Sequence, residues 1–376
     1  MKFVVSSSEL LSSLQSISKV IGGSSKNMLP ILDKFLFSLH NNILLVTASD
    51  LETTLTVSMP ISTVEKEGDA AIEAKLLINT LREFPEQPLT FIVDTETLMA
   101  EISWSSGKSS LPCASADEYP QMPVIEEEFN SITINSDKLL EGISKTIFAT
   151  ADDELRPTMN GIYLDIKTDS ITFVASDAHK LVRYKLLNTV CETDCSFILP
   201  KKPAMYIRGL LKDEFPVMLK FNDKHALFTS THFNMTCRLI EGVFPAYNSV
   251  IPTNNPKKIT VDRVELMTAV RRVSVFSSQA SNLVKLKIAG NEIDVSAQDL
   301  DFSTSANEKV NSRYDGEDIE IGFKSVFLID ILSNLPSTEI SIELSDAGRA
   351  GLFIPVKDDD AEDDDLLMLL MPIVIA

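Results

Sequence analysis

The chain has little of what catalysis needs. Its 376 residues include four histidines, His40, His179, His225 and His232, scattered without metal-ligand spacing. It has no glycine-rich phosphate loop; Gly22-Gly23 is an isolated pair that reads as a helix stop. No carboxylate pair or activated nucleophile stands out, so neither an enzyme nor a bound metal or cofactor is expected. Asp177 and His179 read as a turn shaped by local hydrogen bonds. Cysteine is also sparse: Cys113, Cys191, Cys195 and Cys237 lack paired zinc spacing and read as reduced thiols of a cytoplasmic protein. No run approaches the ~18 apolar residues of a membrane span. The opening MKFVVSSSELL turns polar after Val5, unlike a signal peptide.

Positive charge is short as well. Lysine and arginine number 34 against 54 acidic residues, a net charge of −20. That total bears on solubility and steering, whereas binding depends on where charges sit. Part of the excess is the run Asp358–Asp365, DDDAEDDD, which reads as a solvated loop without the glycine and spacing of a calcium loop.

What the chain does have is repetition. A strand and helix, a hairpin ending in an aspartate, and a second helix occur three times. Leu10, Leu139 and Leu266 align the first helices, and Asp50, Asp177 and Asp299 align the hairpins, at spacings of about 125 residues. Each copy is long enough to bury a core of its own. The boundaries fall in polar, proline-bearing stretches at 122–129 and 251–256, giving domains 1–127, 128–253 and 254–376, with linkers short enough to fix neighbours against each other.

In the first helices Leu10, Leu11, Leu14 and Ile17, then Leu139, Leu140, Ile143 and Ile147, then Leu266, Met267, Val270 and Val273, form one apolar stripe. Ser6 with Glu9, and Asp262 with Glu265, have capping-box spacing. The opposite faces are short or polar and are expected to be free. The second helices are expected to stop at Phe84-Pro85, Phe215-Pro216 and Leu335-Pro336. Alternating β-branched runs such as Phe35–Leu39, Ile43–Ala48 and Ile171–Ala175 imply antiparallel sheet. The fold class is therefore α+β: three tandem copies of one domain, each two helices on antiparallel sheet.

Lys75, Lys201, Lys202 and Lys324 sit where the second helices begin, although a helix N-terminus disfavours cations. Either they are simply solvated, or helix end and lysine together form a phosphate site. Arg82, Arg208, Lys212, Arg271 and Arg272 add positive charge away from the apolar stripes. Cations gathered on free helix faces of an acidic protein suggest a polyanion lying along them, held through phosphates and blind to sequence. Two other readings stay open: a catalytic nucleic-acid enzyme, which needs a constellation not found here, and a scaffold that binds proteins but never DNA.

Several motifs carry a resemblance: Met28-Leu29-Pro30-Ile31-Leu32, Ser49-Asp50-Leu51-Glu52, Asn160-Gly161, Ser176-Asp177-Ala178-His179-Lys180-Leu181, Phe244-Pro245-Ala246-Tyr247 and Ile321-Gly322-Phe323. In this order the set resembles the bacterial DNA sliding clamps, beta subunits of the replicative DNA polymerase, over the whole chain. The resemblance implies a crescent that dimerises head to tail into a ring around duplex DNA, with helices lining the hole and sheets outside. It implies a non-catalytic processivity factor, opened by a clamp-loader ATPase, that tethers the replicative polymerase and other proteins bearing a clamp-binding motif. The DNA-facing residues would be Lys75, Arg82, Lys201 and Lys202. The dimer interface would use Lys108, Leu111 and Cys113, in the stretch Lys108–Cys113, together with Val275 and Phe276. The partner-peptide pocket would be walled by Met159, His179, Leu181, Pro245, Val250 and Met371, with Arg156 and Ile373 alongside. The chain departs from the family at Ala178 and Lys180, where Gly and Arg are common, in the acidic loop Asp152–Glu154, and in the tail Val374–Ala376.

Overall fold

The computed structural model describes residues 1–21, 29–120, 129–187, 194–211, 213–356 and 364–375. The Gly22-Gly23 stop, Met28, the 127/128 boundary, Cys191, Lys212 and most of the acidic run lie outside these.

The same order of elements recurs three times. The first copy has β1 (Lys2–Ser6), α1 (Ser7–Ile21), β2 (Lys34–His40), β3 (Ile43–Ser49), β4 (Thr53–Pro60), β5 (Thr63–Lys66), β6 (Gly68–Glu73), α2 (Ala74–Arg82), β7 (Pro88–Asp94), β8 (Met99–Trp104) and β9 (Gly107–Ala114). The second has β10 (Asn130–Asn135), α3 (Ser136–Thr146), β11 (Gly161–Lys167), β12 (Ser170–Ser176), β13 (Lys180–Leu187), β14 (Cys195–Pro200), α4 (Lys201–Arg208), β15 (Pro216–Phe221), β16 (His225–Thr229) and β17 (Phe233–Arg238). The third has β18 (Lys257–Asp262), α5 (Arg263–Ser274), β19 (Leu283–Ala289), β20 (Glu292–Asp299), β21 (Thr304–Arg313), β22 (Ile319–Lys324), α6 (Ser325–Asn334), β23 (Glu339–Leu344), β24 (Gly351–Pro355) and β25 (Asp364–Leu370). Among the described residues β5 has no counterpart in the other copies.

By contact the chain forms two compact units, Met1–Leu140 with Lys202–Leu239, and Glu141–Lys201 with Ile240–Ala376. The first is built on an antiparallel sheet of 13 strands and the second on one of 12. In the first unit β4 pairs with β17, Thr53 facing Cys237. In the second β13 pairs with β25, Lys180 facing Leu370. Each sheet thus runs unbroken from one copy into the next.

The apolar stripes are buried along their centres, while Leu11, Leu140 and Met267 at their margins are only half-buried. Leu10, Leu14 and Ile17 of α1, and Leu266, Val270 and Val273 of α5, lose essentially all contact with solvent. Gly142 of α3 has no room for a side chain, because a Cβ there would stand 2.5 Å from the Phe173 ring. Asp262 caps α5 through its Oδ1, which accepts from the backbone N–H groups of Val264 and Glu265 at 2.8 Å each. Ser6 Oγ accepts from Glu9 N at a looser 3.4 Å. The first residue of each first helix ties back to the turn after the second. Ser7 Oγ donates to Pro85 O, Ser136 Oγ to Asp213 O, and Arg263 Nε to Ser337 O, at 2.8, 2.6 and 2.8 Å.

Four expectations need correction. The helix α4 ends at Arg208, well before Phe215-Pro216, because Gly209 and Leu210 turn away through bonds to Tyr206 and Ile207 carbonyls. The free faces are not wholly polar, since Leu76, Met205, Val264 and Val326 each remain at least 42% exposed. Asp364 and Asp365 are not loop residues: they open β25, Asp364 pairing with Lys145 at 3.1 Å and Asp365 with Arg183 at 2.5 Å. The lysines of the second helices, finally, do not share one position. The ladders make Glu73, Pro200 and Lys324 equivalent, each the last residue of the strand before the helix and paired with Lys34, Gly161 and Leu283. Lys75 and Lys202 then coincide, and the third copy has Val326 there.

Candidate functional site

The three aspartates that marked the repeat accept the same pair of backbone bonds, although the third turn has four residues before the next strand where the others have two. Asp50 Oδ1 accepts from Glu52 N and Thr53 N, Asp177 Oδ1 from His179 N and Lys180 N, and Asp299 Oδ1 from Asp301 N and Phe302 N, at 2.6 to 3.2 Å. Asp177 and His179 thus shape a turn, as their spacing suggested. The turns hold Leu51, Ala178 and Ser303 at φ of 72°, 73° and 52°, in the left-handed region that suits glycine.

The second-copy turn is the centre of the densest cluster of functional candidates, all within the second unit. His179 stacks on Phe327 of α6, ring centroids 5.3 Å apart. Its carbonyl accepts from Met371 N at 2.9 Å, and Ile373 N donates to Gly322 O at 2.8 Å, so the tail after β25 is pinned beside the turn. Leu181 is buried in a cluster with Val174, Phe244, Tyr247 and Leu369. Phe244 stacks on Tyr163 at 4.9 Å, and Tyr247 donates its hydroxyl to Asp165 Oδ2 at 3.0 Å. These contacts fix the segment carrying Pro245 and Val250, which are themselves exposed. Met159 donates its N–H to Arg156 O, and its carbonyl accepts from Ala151 N. The Arg156 guanidinium pairs with Asp153 at 2.8 Å. Met371 and Val250 keep 44% and 55% exposure, so apolar surface lies on a rigid base. Sequence reasoning missed Phe327 and Asp330. Both come from α6, and Asp330 takes an ion pair at 3.3 Å from Lys180, which is 5% exposed and also bound to Asp177 at 2.9 Å.

The cations are disposed unevenly. Lys75 and Arg82 on α2, and Lys202 and Arg208 on α4, are exposed, while Lys201 is half-buried. Arg271 is exposed, but Arg272 spends its charge on Glu308, Nε to Oε2 at 2.8 Å. The helix α6 has no basic residue, and Lys324, just before it, lies over the Phe327 ring at 5.1 Å.

At the strand edges, Lys108 is exposed and paired with Glu101 at 2.8 Å. Leu111 and Cys113 are buried in the first unit. Cys113 is engaged on both sides, through Leu98 and Ile72, so the unpaired edge of β9 is 107–112. Val275 and Phe276 follow α5, exposed by 78% and 41%.

Among the described residues no group of histidine, cysteine, aspartate and glutamate could hold a metal ion, and no helix is long and apolar enough to cross a membrane. The thiols of Cys113 and Cys237 are buried and free.

Three family models match in series: the N-terminal domain of the DNA polymerase III beta subunit at residues 1–123, its central domain at 133–246 and its C-terminal domain at 248–372. The chain is 27% identical to the beta sliding clamp of Vibrio cholerae, covering 99% of this chain and 100% of that one. It is 28% identical to that of Synechocystis sp., covering 95% and 96%. Among solved structures, the DnaN sliding clamp of Bartonella birtlesii bound to griselimycin superposes with a TM-score of 0.89 at 28% identity, over 100% of both chains. The corresponding clamp of Pseudomonas aeruginosa gives 0.92 at 24% identity, again over 100% of both. With all three models matched in order along one chain, the protein belongs to the DNA polymerase III beta-subunit family, the beta sliding clamps.

Proposed function

We propose that this chain is the subunit of a processivity clamp made of domains 1–127, 128–253 and 254–376. Two copies close head to tail into a ring around duplex DNA. The ring slides, and tethers the replicative polymerase and other replication or repair proteins through peptides seated at Met159, His179, Leu181, Pro245, Val250 and Met371. It performs no chemistry and takes no cofactor; a clamp-loader ATPase opens it in the cytoplasm.

The observation that carries this reading is a junction written twice. The strand after the aspartate turn pairs with the last strand of the following copy, β4 with β17 and β13 with β25, in the same register. The equivalent edges of β21 and β9, at 304–311 and 107–112, are unpaired on that side among the described residues. Two chains that pair these edges in both directions leave neither open, which is closure by cyclic symmetry. Lys75, Arg82, Lys201 and Lys202 then meet phosphates, while the acidic remainder discourages DNA from adhering elsewhere.

Retention on circular DNA tests the reading. Protein loaded on a nicked circle should remain through a high-salt wash and leave when the circle is cut. Salt-sensitive loss from circle and linear DNA alike would sink the clamp.

A further inference from the structure

The aspartate turns of the first and second copies share one backbone frame. Ser49 Oγ accepts from Leu51 N and Ser176 Oγ from Ala178 N, at 3.2 and 3.1 Å. Asp50 N donates to Thr53 O at 3.1 Å, and Asp177 N to Lys180 O at 3.2 Å. Each turn also holds the strand that ends beside it. Glu52 O accepts from Arg238 N at 2.8 Å, as His179 O accepts from Met371 N at 2.9 Å. Thr53, facing Cys237, is thus the counterpart of Lys180, which faces Leu370, and Arg238 is the counterpart of Met371.

The side chains beneath the two frames differ. Counting from Lys202 and Val326, which the ladders make equivalent, Pro203 and Tyr206 of α4 match Phe327 and Asp330 of α6. Under the second turn Lys180, 5% exposed, stands between two carboxylates, Asp177 at 2.9 Å and Asp330 at 3.3 Å. Its nitrogen lies 4.5 Å from the Phe327 ring, on which His179 stacks. Under the first turn Thr53 replaces the lysine and the buried Tyr206 replaces the second carboxylate. Asp50 there feels the exposed Lys202 instead. The frame therefore folds without a buried charged strut. Burying an ammonium is costly, and a buried ion pair does little for stability, so the strut under the second turn has another use.

The two turns also differ in what they carry. Arg238 and Glu52 approach to 3.8 Å with both side chains more than half exposed. Met371 and His179 belong instead to an apolar patch on a rigid base. A site that seats apolar side chains of a peptide needs walls already in place, because every wall ordered on binding subtracts from affinity. Solvated ions need no such support.

We propose, resting on the pocket reading above, that Asp330 is a positioning residue for the partner-peptide pocket. Its carboxylate fixes Lys180, Lys180 and Phe327 fix the His179 turn, and the carbonyl of that turn fixes Met371. The helix α6 thereby sets His179 and Met371 in place from beneath, and partner affinity depends on a residue outside the pocket.

A peptide probe comes from a random hexapeptide library selected on the immobilised full-length protein, keeping only sequences that Met371→Asp fails to hold. One such peptide is labelled, and its affinity is read by fluorescence anisotropy. Asp330→Asn should weaken binding about fivefold, with the melting curve little changed. Amide exchange across 369–373, followed by mass spectrometry, should quicken in the same variant. Because Asp330 acts through Lys180, the change on a Lys180→Met background should add less than about twofold. Asp330→Glu, which keeps the charge, should recover part of the loss. Binding by Asp330→Asn within about twofold of wild type overturns the inference and leaves the pocket standing. So does a loss with unchanged exchange, one that adds in full to that of Lys180→Met, or one that Asp330→Glu leaves whole. A library that yields no peptide dependent on Met371 sinks the pocket reading with it.

Discussion

Lys180, at the start of β13, and Asp330, on α6, face each other at 3.3 Å between Nζ and Oδ2. The lysine is enclosed: Asp177 holds it at 2.9 Å and the Phe327 ring lies 4.5 Å from its nitrogen. The two carboxylates differ in burial, side-chain exposure being 16% for Asp177 and 43% for Asp330.

That difference predicts an asymmetric cost. Removing one partner of a buried pair strands the other charge, at ~3–5 kcal/mol when burial is complete. Lys180→Met should cost about 2 kcal/mol, because Asp177 keeps some solvent and its backbone bonds. Asp330→Asn should cost less than ~1 kcal/mol, as exposed pairs do. Urea unfolding of the two variants should rank them in this order, and equal losses would contradict it.

Ala178 holds a left-handed conformation with φ of 73°. An L side chain costs ~1–2 kcal/mol there, and glycine returns part of that gain as extra freedom in the unfolded chain. Ala178→Gly should therefore stabilise the protein by about 1 kcal/mol and raise its melting temperature. A drop would mean that the methyl packs usefully.

Met371, 44% exposed beside the His179 turn, is the residue whose loss should be felt by partners and not by the fold. Met371→Asp is expected to abolish binding of a clamp-binding peptide, read by fluorescence anisotropy, with an unaltered melting curve. Retained affinity would move the pocket elsewhere.

Lys201 and Lys202 should act through phosphates. Their double change to glutamine should lower the slope of log affinity against log salt by about 2, at ~0.9 for each phosphate no longer neutralised, with dimerisation intact. An unchanged slope on duplex DNA removes them from the DNA face.

Burial pushes the Cys237 thiol up from 9.0 to about 12, and the Tyr247 and Tyr206 hydroxyls up from 10.0 to about 12. A raised folded value means that the unfolded chain ionises first. The stability these groups lend is complete below about pH 9 and falls as pH climbs from about 9 to about 12. Alkaline titration of the melting temperature should show that decline. At pH 8 a thiol reagent should label Cys195, which is partly exposed, well before the buried Cys237.

The sequence by itself determined the module and its triplication. A 3.6-residue stripe such as Leu10, Leu14 and Ile17 has one way to be buried, and three aspartates at corresponding hairpins dictate three like turns through their own backbone bonds. These are short-range effects, written in the residues that feel them. The tertiary structure decided what depends on residues far apart in the chain. It made Val326, not Lys324, the counterpart of Lys75 and Lys202, because ladder register fixes equivalence and counting along a helix does not. It drew Asp364 and Asp365 out of an apparent loop, since β13 offered an edge with Lys145 and Arg183 in reach. It also brought Phe327 and Asp330 beneath a turn some 150 residues upstream. No local pattern encodes such a meeting, which arises only when two copies share one sheet.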